Sequence, residues 1–289
     1  MNHGISGFDH LVVAVRDLEV ARDAWTRIGF TCTPRGRHRN LATGNYCIMF
    51  PDDYVELIGI VDPSMPDRGL MSRMDEGGEG LDRVAFAVKD VDATAEALTA
   101  SGIGYRGPID LHRPLELPQG EVEPRFRLMH FEDQATTPGL HGFICYHVTP
   151  EITRGEPSWL NHANGVNAVR SLTVVHDNPE SLTEGWQKLL GPGCTVLTDD
   201  TLTVHTGNHA LVIVTPDHLA VMFPRVADQM TRTPPVIAAA TFLSSDIEAA
   251  AAYLTGQEVA FHRDAEGDIH IAPADANGAI IGIEQDRRR

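Results

Sequence analysis

The run FDHLVVAV, residues 8–15, places a histidine inside an apolar, strand-like segment. Side chains alternate along a strand, so Phe8, His10, Val12 and Ala14 share one face and Leu11, Val13 and Val15 the other. A histidine on such a face is a satisfied core group, a metal ligand or an acid–base group. The chain has 14 histidines, so residue type alone decides nothing. His112, His130, His176, His205, His209, His218, His262 and His270 have no spacing that implies shared chemistry and read as structural or surface groups. Arginines say more. Arg35, Arg37 and Arg39 crowd one segment, and Arg106, Arg113, Arg125 and Arg127 a second, which makes seven of 23 basic residues. Alternation puts Arg125 and Arg127 on one strand face. Such a set is a sheet edge guarded by charge, or a pocket that grips a carboxylate or phosphate with guanidinium forks.

The elements that carry these residues recur. An apolar strand, an aspartate and a helical run occur at residues 8–30, again at 83–102 (RVAFAVKDVDATAEALTASG), at 171–191 (SLTVVHDNPESLTEGWQKLLG) and at 238–256 (AAATFLSSDIEAAAAYLTG). Asp17 against Asp90 gives an offset of 90 − 17 = 73, and Trp25 and Trp186 each follow a strand leucine, Leu11 or Leu172, by 14 residues. Repeats at this period are architectural. Asp17 and Asp246 cap the helical runs, and Gly29 and Gly256 end them. After each helix come strand-like runs, in the fourth copy with a turn at Asn277–Gly278. Each unit therefore reads strand–helix–strand–strand–strand. One such unit leaves a sheet face bare and must pair to cover it. Four units imply an α+β protein of two paired domains: residues 1–150, a linker at 151–164, and residues 165–289.

Bulk composition excludes some partners. Lys plus Arg total 23 against 40 Asp plus Glu, a formal charge of −17. That field repels nucleic acid and anionic lipid. No window approaches about 18 apolar residues, so no membrane span is expected. The start, MNHGISGFDH, lacks a basic region followed by an apolar stretch and reads as no signal peptide. Cys32, Cys47, Cys145 and Cys194 form no C-x-x-C pair and read as reduced thiols of a cytoplasmic protein.

The repeated unit, with FDHLVVAV at its front and YVELI at its end, resembles the vicinal oxygen chelate superfamily, which includes glyoxalase I, extradiol dioxygenases and drug-sequestering proteins. The run GFTCTPRGRHR, residues 29–39, and HANG, residues 162–165, resemble its glyoxalase-like domain branch, with Arg35 in place of the first glycine of a pair. The resemblance implies two curved-sheet barrels built from βαβββ modules. It also implies one divalent metal (Zn, Fe, Mn or Ni) in a cup, with ligands from the first and last strands of each module. Carried over by residue, it puts His10 and Glu56 among the metal ligands and makes His38 an acid–base or substrate-contacting group. The repeat offset puts Arg83 at the next ligand position, with Ser171 and Ala239 in the later modules. Arginine stays protonated and does not ligate. Glu284, near the end of the fourth module, reads as a structural strand end.

Two readings of the first cup stay open. In one, His147 joins His10 and Glu56 as a two-histidine, one-carboxylate set. In the other, Arg83 pairs with Glu56 where a metal would sit. Arg37, Arg83, Arg113, Arg125, Arg127 and His162 are the substrate-binding candidates, His162 capping the pocket or fixing the chain where the third module begins. Glu56 and His38 are the catalytic candidates. The resemblance implies a metal-dependent enzyme of lyase, isomerase or hydrolase type acting on a small anionic substrate through enolate-like chemistry. Its alternatives are a metal-free sequestering protein and, with Fe, an extradiol-type dioxygenase. The first domain is expected to hold the site and the second to be scaffold, in a monomer or homodimer.

Overall fold

An aspartate starts three of the four repeated helices. Asp17, Asp90 and Asp246 lie in extended backbone, and one carboxylate oxygen of each accepts two amide hydrogens of the following turn. These amides have no partner inside a helix, so the cap stabilises the start. In the computed structural model, which describes residues 3–117 and 120–288, the chain forms four modules. The first comprises β1 (Ile5–Ala14), α1 (Leu18–Arg27), β2 (Gly36–Arg37), β3 (Thr43–Met49) and β4 (Tyr54–Ile60), and α2 (Leu70–Gly77) leads out of it. The second comprises β5 (Gly80–Val88), α3 (Val91–Ala100), β6 (Tyr105–His112), a hairpin of β7 (Leu115–Leu117) and β8 (Gly120–Val122), then β9 (Arg125–Phe131) and β10 (His141–His147). A short α4 (Pro150–Arg154) follows. The third comprises β11 (Val166–Val175), α5 (Thr183–Leu190), β12 (Thr195–Thr198), β13 (Thr201–His205) and β14 (Ala210–Val214), followed by α6 (Pro216–Met222). The fourth comprises β15 (Val236–Ser244), α7 (Ile247–Gly256), β16 (Phe261–Arg263), β17 (Ile269–Ile271) and β18 (Ile280–Gln285). The Asn277–Gly278 turn is not a simple hairpin, because a 3-10 turn at Pro273–Asp275 precedes it.

Two curled sheets result. Ten strands run in the order β6-β9-β10-β5-β1-β4-β3-β2-β7-β8, and eight in the order β12-β13-β14-β11-β15-β18-β17-β16. At each centre, two first strands pair antiparallel. His10 stands opposite Ala85 and Val12 opposite Arg83. This is the reciprocal register that a 73-residue repeat requires, since 83 − 10 = 85 − 12 = 73. In the second sheet Ser171 faces Thr241 and Thr173 faces Ala239, an offset of 68.

Helices α1, α3, α5 and α7 and one face of each sheet share a single apolar core, whereas α2 and α6 pack on the other faces. Trp25 and Trp186 are both fully buried in it. Phe30 meets Phe242 at 5.3 Å and Phe86 meets Trp186 at 6.2 Å between ring centroids. The segment between the sheets is tied down: His162 bonds the Thr31 amide and the Met49 carbonyl, and buried Asn164 donates to Ile28 O. The opposite face of each sheet has its own apolar cluster, and each lines a cup. No helix among the described residues is long and apolar enough to cross a membrane.

The face assignment of Phe8 needs correction. The β1–β5 ladder has an irregularity between Phe8 and His10, and an extra residue in a strand flips the faces beyond it. Phe8 therefore joins the shared core and stacks on His209 at 4.7 Å, while His10, Val12 and Ala14 keep to the cup side.

Candidate active site in the first cup

Register locates the four positions around the cup. In the parallel β1–β4 pair His10 stands opposite Tyr54 and Val12 opposite Glu56, so Glu56 lies two residues beyond the partner of His10. The same step in β5–β10, where Arg83 stands opposite His141, arrives at Phe143. His147 and Cys145 are thus not the counterparts of Glu56. In the second sheet Ser171 and Ala239 step to Val212 and Gly282, so Glu284 is not a counterpart either. His10, Glu56, Arg83 and Phe143 all line one cavity of about 100 Å³, together with His38, Tyr54, Arg113, His130 and an apolar wall that includes Val12, Ile58, Phe126 and Leu128.

Glu56 is the centre of this cavity's polar floor. It is buried and accepts a hydrogen bond from Asn45 Nδ2. His10 Nε2 lies 3.7 Å from its Oε2, and His38 Nε2 lies 3.6 Å from its Oε1. Burial would raise the Glu56 pKa, but His38, His10, Arg113 and the Asn45 bond outweigh it and hold the carboxyl below its usual value. Each imidazole is oriented through its other nitrogen. His10 Nδ1 is 2.7 Å from Asp9 Oδ1, and His38 Nδ1 is 2.9 Å from Thr43 Oγ1. Burial, aided by Arg113 and Arg83, lowers the His38 pKa to about 4 against the pull of Glu56, so its ring is neutral at pH 7. Asp9 is buried; the charge of His147 and the bonds from His10 and His147 overcome its desolvation and keep it ionised.

Arg113 supplies positive charge. It is 4% exposed, lies over Phe126 with its guanidinium carbon 5.2 Å from the ring centroid, and donates from Nη1 to Cys47 Sγ at 2.7 Å. Among the described residues no carboxylate lies within ion-pair distance of it, and its Nε has no partner. A buried charge without a direct counter-ion is costly. Burial with Arg113 nearby leaves the Cys47 thiol pushed up to about 11, so it is protonated.

The other sequence candidates lie elsewhere. His147 Nε2 sits 3.0 Å from Asp9 Oδ2 and does not reach Glu56; it supports Asp9, as does Arg154 at 3.5 Å. Arg83 donates from Nε to Asp82 at 2.8 Å and makes no ion pair with Glu56, whose carboxylate faces Asn45, His10 and His38 instead. Arg37 is exposed and pairs with Glu121 at 2.9 Å, beside Arg35–Glu116 and Arg39–Glu123. These pairs join β2 to the β7–β8 hairpin and are the charged-edge alternative. In β9, Phe126 and Leu128 point into the cup, so Arg125 and Arg127 point away; Arg127 pairs with Asp92 at 2.8 Å. His162 does not line the cavity and fixes the linker. Sequence reasoning missed Asp9, Asn45 and Thr43, which position the two imidazoles and the carboxylate. Asp9 precedes His10 in FDH, but strand parity assigns it to the opposite face, and only the irregularity in β1 brings it beneath His10. Among the described residues, the one group of three or more His, Cys, Asp or Glu side chains with ligand atoms all within 4.8 Å of one another is Asp9, His10 and Cys145.

Paired βαβββ modules around a cup with residues at these positions define a vicinal oxygen chelate fold. The glyoxalase-like domain family matches residues 8–190, and the chain belongs to that family. Comparison with curated proteins returned no match. Among solved structures, a hypothetical protein from Staphylococcus aureus is similar with a TM-score of 0.70 at 14% identity, over 96% of this chain and 99% of that one. A triple mutant of 4-hydroxymandelate synthase from Streptomyces coelicolor has a TM-score of 0.61 at 12% identity, over 99% and 94%. A fusion of a xylose isomerase-like TIM barrel with a 4-hydroxyphenylpyruvate dioxygenase has 0.58 at 13%, over 99% of this chain and 49% of that one. At these identities the likeness is one of fold.

Proposed function

We propose that the first cup is the active site of an enzyme that acts on a small anionic, oxygen-bearing substrate, with a divalent metal held by His10, His38 and Glu56. The observation that supports this is the pair of imidazole Nε2 atoms at 3.7 and 3.6 Å from the Glu56 carboxylate. His10 places Nδ1 on Asp9, so Nε2 is the nitrogen turned toward a carboxylate oxygen. A proton or a metal ion between two such atoms holds them together. Donors each about 2.1 Å from one ion stand at most about 4.2 Å apart, so both separations fit shared ligation. The imidazoles approach different oxygens of Glu56, and the three ligand atoms do not all lie within 4.8 Å of one another, so a common centre needs these side chains to move together. Two imidazoles and a carboxylate suit Zn, Fe, Mn or Ni, and leave open positions for substrate. A metal bound there polarises a substrate oxygen and stabilises enolate-like charge, the chemistry of lyases and isomerases.

The chain's own groups do the rest. Arg113 receives the substrate carboxylate from beneath. Phe126, Leu128, Phe143 and Val12 exclude water and so strengthen these charges. His38, neutral at pH 7, is a ligand or exchanges a proton on the Oε1 side of Glu56. Metal analysis of the purified chain tests the proposal: about one ion per chain is expected, lost in His10→Ala and Glu56→Gln. The second reading, a metal-free binding protein, draws on Arg83 and Phe143 at the two ligand positions of the second module. It predicts anion binding that depends on Arg113 and is unchanged by a chelator.

A further inference from the structure

Arg83 and Phe143 stand where the second module would supply ligands, and together they build something else. Across the rim of the first sheet, Arg106 faces His130 in the β6–β9 ladder, and His130 faces Phe143 in the β9–β10 ladder. The His130 and Phe143 rings stack at 5.5 Å and 21°, and the Arg83 guanidinium carbon lies 6.0 Å from the Phe143 centroid. Arg83 is anchored through Nε on Asp82, which leaves its two terminal nitrogens without a hydrogen bond among the described residues. Arg68 lies on the same rim; neither it nor Arg106 has an ion pair among the described residues. The rim carboxylate beside Arg68, Asp67, is engaged by the amides of Gly69 and Met71. The main cavity and the cleft beside it share Arg83, His130 and Phe143. In a chain of net charge −17, Arg68 and Arg106 without an ion pair among the described residues, beside Arg83 paired only through Nε with Asp82, concentrate positive charge at this rim.

We propose that the substrate carries a second anionic group, received at this rim by Arg83 with Arg68 and Arg106, so that the cup takes small dianions with one acidic end at Arg113 and the other at the mouth. The proposal rests on the reading of the first cup as an anion site. Forks of this geometry pair with carboxylate or phosphate oxygens two at a time. The apolar wall between the two cationic ends suits a short hydrocarbon or a single ring, in keeping with the cavity of about 100 Å³.

Calorimetric titration of the full chain tests this with three probe series: straight-chain monocarboxylates, dicarboxylates from malonate to adipate, and phosphonocarboxylates of matched length. One dianion length should bind about 10- to 100-fold more tightly than its monoanion, the range of one charge-assisted hydrogen bond. The dicarboxylate and phosphonocarboxylate arms show which group the rim prefers. In the double variant Arg83→Met/Arg106→Gln that ratio should fall toward one, whereas Arg113→Met should weaken both classes. Thermal melts confirm that the variants fold, as expected for partly exposed rim positions. Equal affinity for monoanions and dianions of every length overturns the dianion proposal and leaves the anion site standing if Arg113→Met still matters. Binding that ignores Arg113, or no binding by any series, overturns both.

Discussion

The two cups of this chain have the same scaffold and opposite contents. At four equivalent positions the first has His10, Glu56, Arg83 and Phe143, and the second has Ser171, Val212, Ala239 and Gly282. The first cavity is about 100 Å³ with Arg68, Arg83 and Arg113 on its walls; the second is about 430 Å³ with Asp264, Glu266, Asp268 and Glu284 against Arg170. At the second set no imidazole, carboxylate or guanidinium remains, and Ser171 is the one polar side chain. One fold thus has an imidazole and a carboxylate at the equivalent positions of one half and neither there in the other, whose charged groups stand at other positions, so chemistry here belongs to the side chains at each position.

If the second half is scaffold, breaking it should damage the first. Phe242→Ala, at the junction of the two sheets, should lower unfolding stability by about 3–5 kcal/mol, with a single transition in denaturant. Two separate transitions would show that the halves stand independently.

Arg113→Met should weaken binding of a small carboxylate by about 1.5–3 kcal/mol, read by calorimetry. Arg170→Met in the second cup should leave that affinity unchanged, and an equal loss there would erase the difference between the cups. Asp9→Asn should lower metal affinity about 10- to 100-fold, because Asp9 orients His10 from behind; the fold should persist, as shown by its melting curve.

Acid should weaken the rim of the first cup. Burial, with Arg83, Arg68 and Arg106, lowers the His130 pKa to about 4, whereas the unfolded chain titrates near 6.5. Between those values the unfolded chain holds the extra proton, so stability rises with pH from about 4 to about 6.5 and is lost on acidification. His130 is partly exposed, so its share is on the order of 1 kcal/mol after screening. Metal-free His130→Gln should show a flatter melting temperature across that window than the unaltered chain. Smallest of all, Arg37→Met and Arg125→Met should change ligand affinity by less than about 0.5 kcal/mol, as surface substitutions do.

Much of this architecture was legible in the sequence because periodicity is a local property. The aspartate caps, the tryptophans 14 residues after their strand leucines and the 73-residue offset all reappear as geometry. His10 and Glu56 were legible as a pair through the family resemblance, and Arg113 as a candidate among seven arginines. What failed depended on register. His147 was aligned with Glu56 although strand pairing puts Phe143 there, because sequence cannot show where a parallel ladder begins. Arg125 and Arg127 were placed on one face, as they are, but nothing local says which face looks inward. Asp9 was hidden by a one-residue irregularity that reverses the parity of β1.

The central claim is that metal chemistry resides in the first cup and nowhere else in the chain. Titration of the metal-free protein with Mn or Zn, read by calorimetry on the unaltered chain and on His10→Ala, tests it most directly. One ion per chain is predicted, with affinity falling by more than about 100-fold in the variant while the melting curve of the metal-free protein is preserved. An ion bound with equal affinity after the substitution, or metal-free protein that binds none, contradicts it.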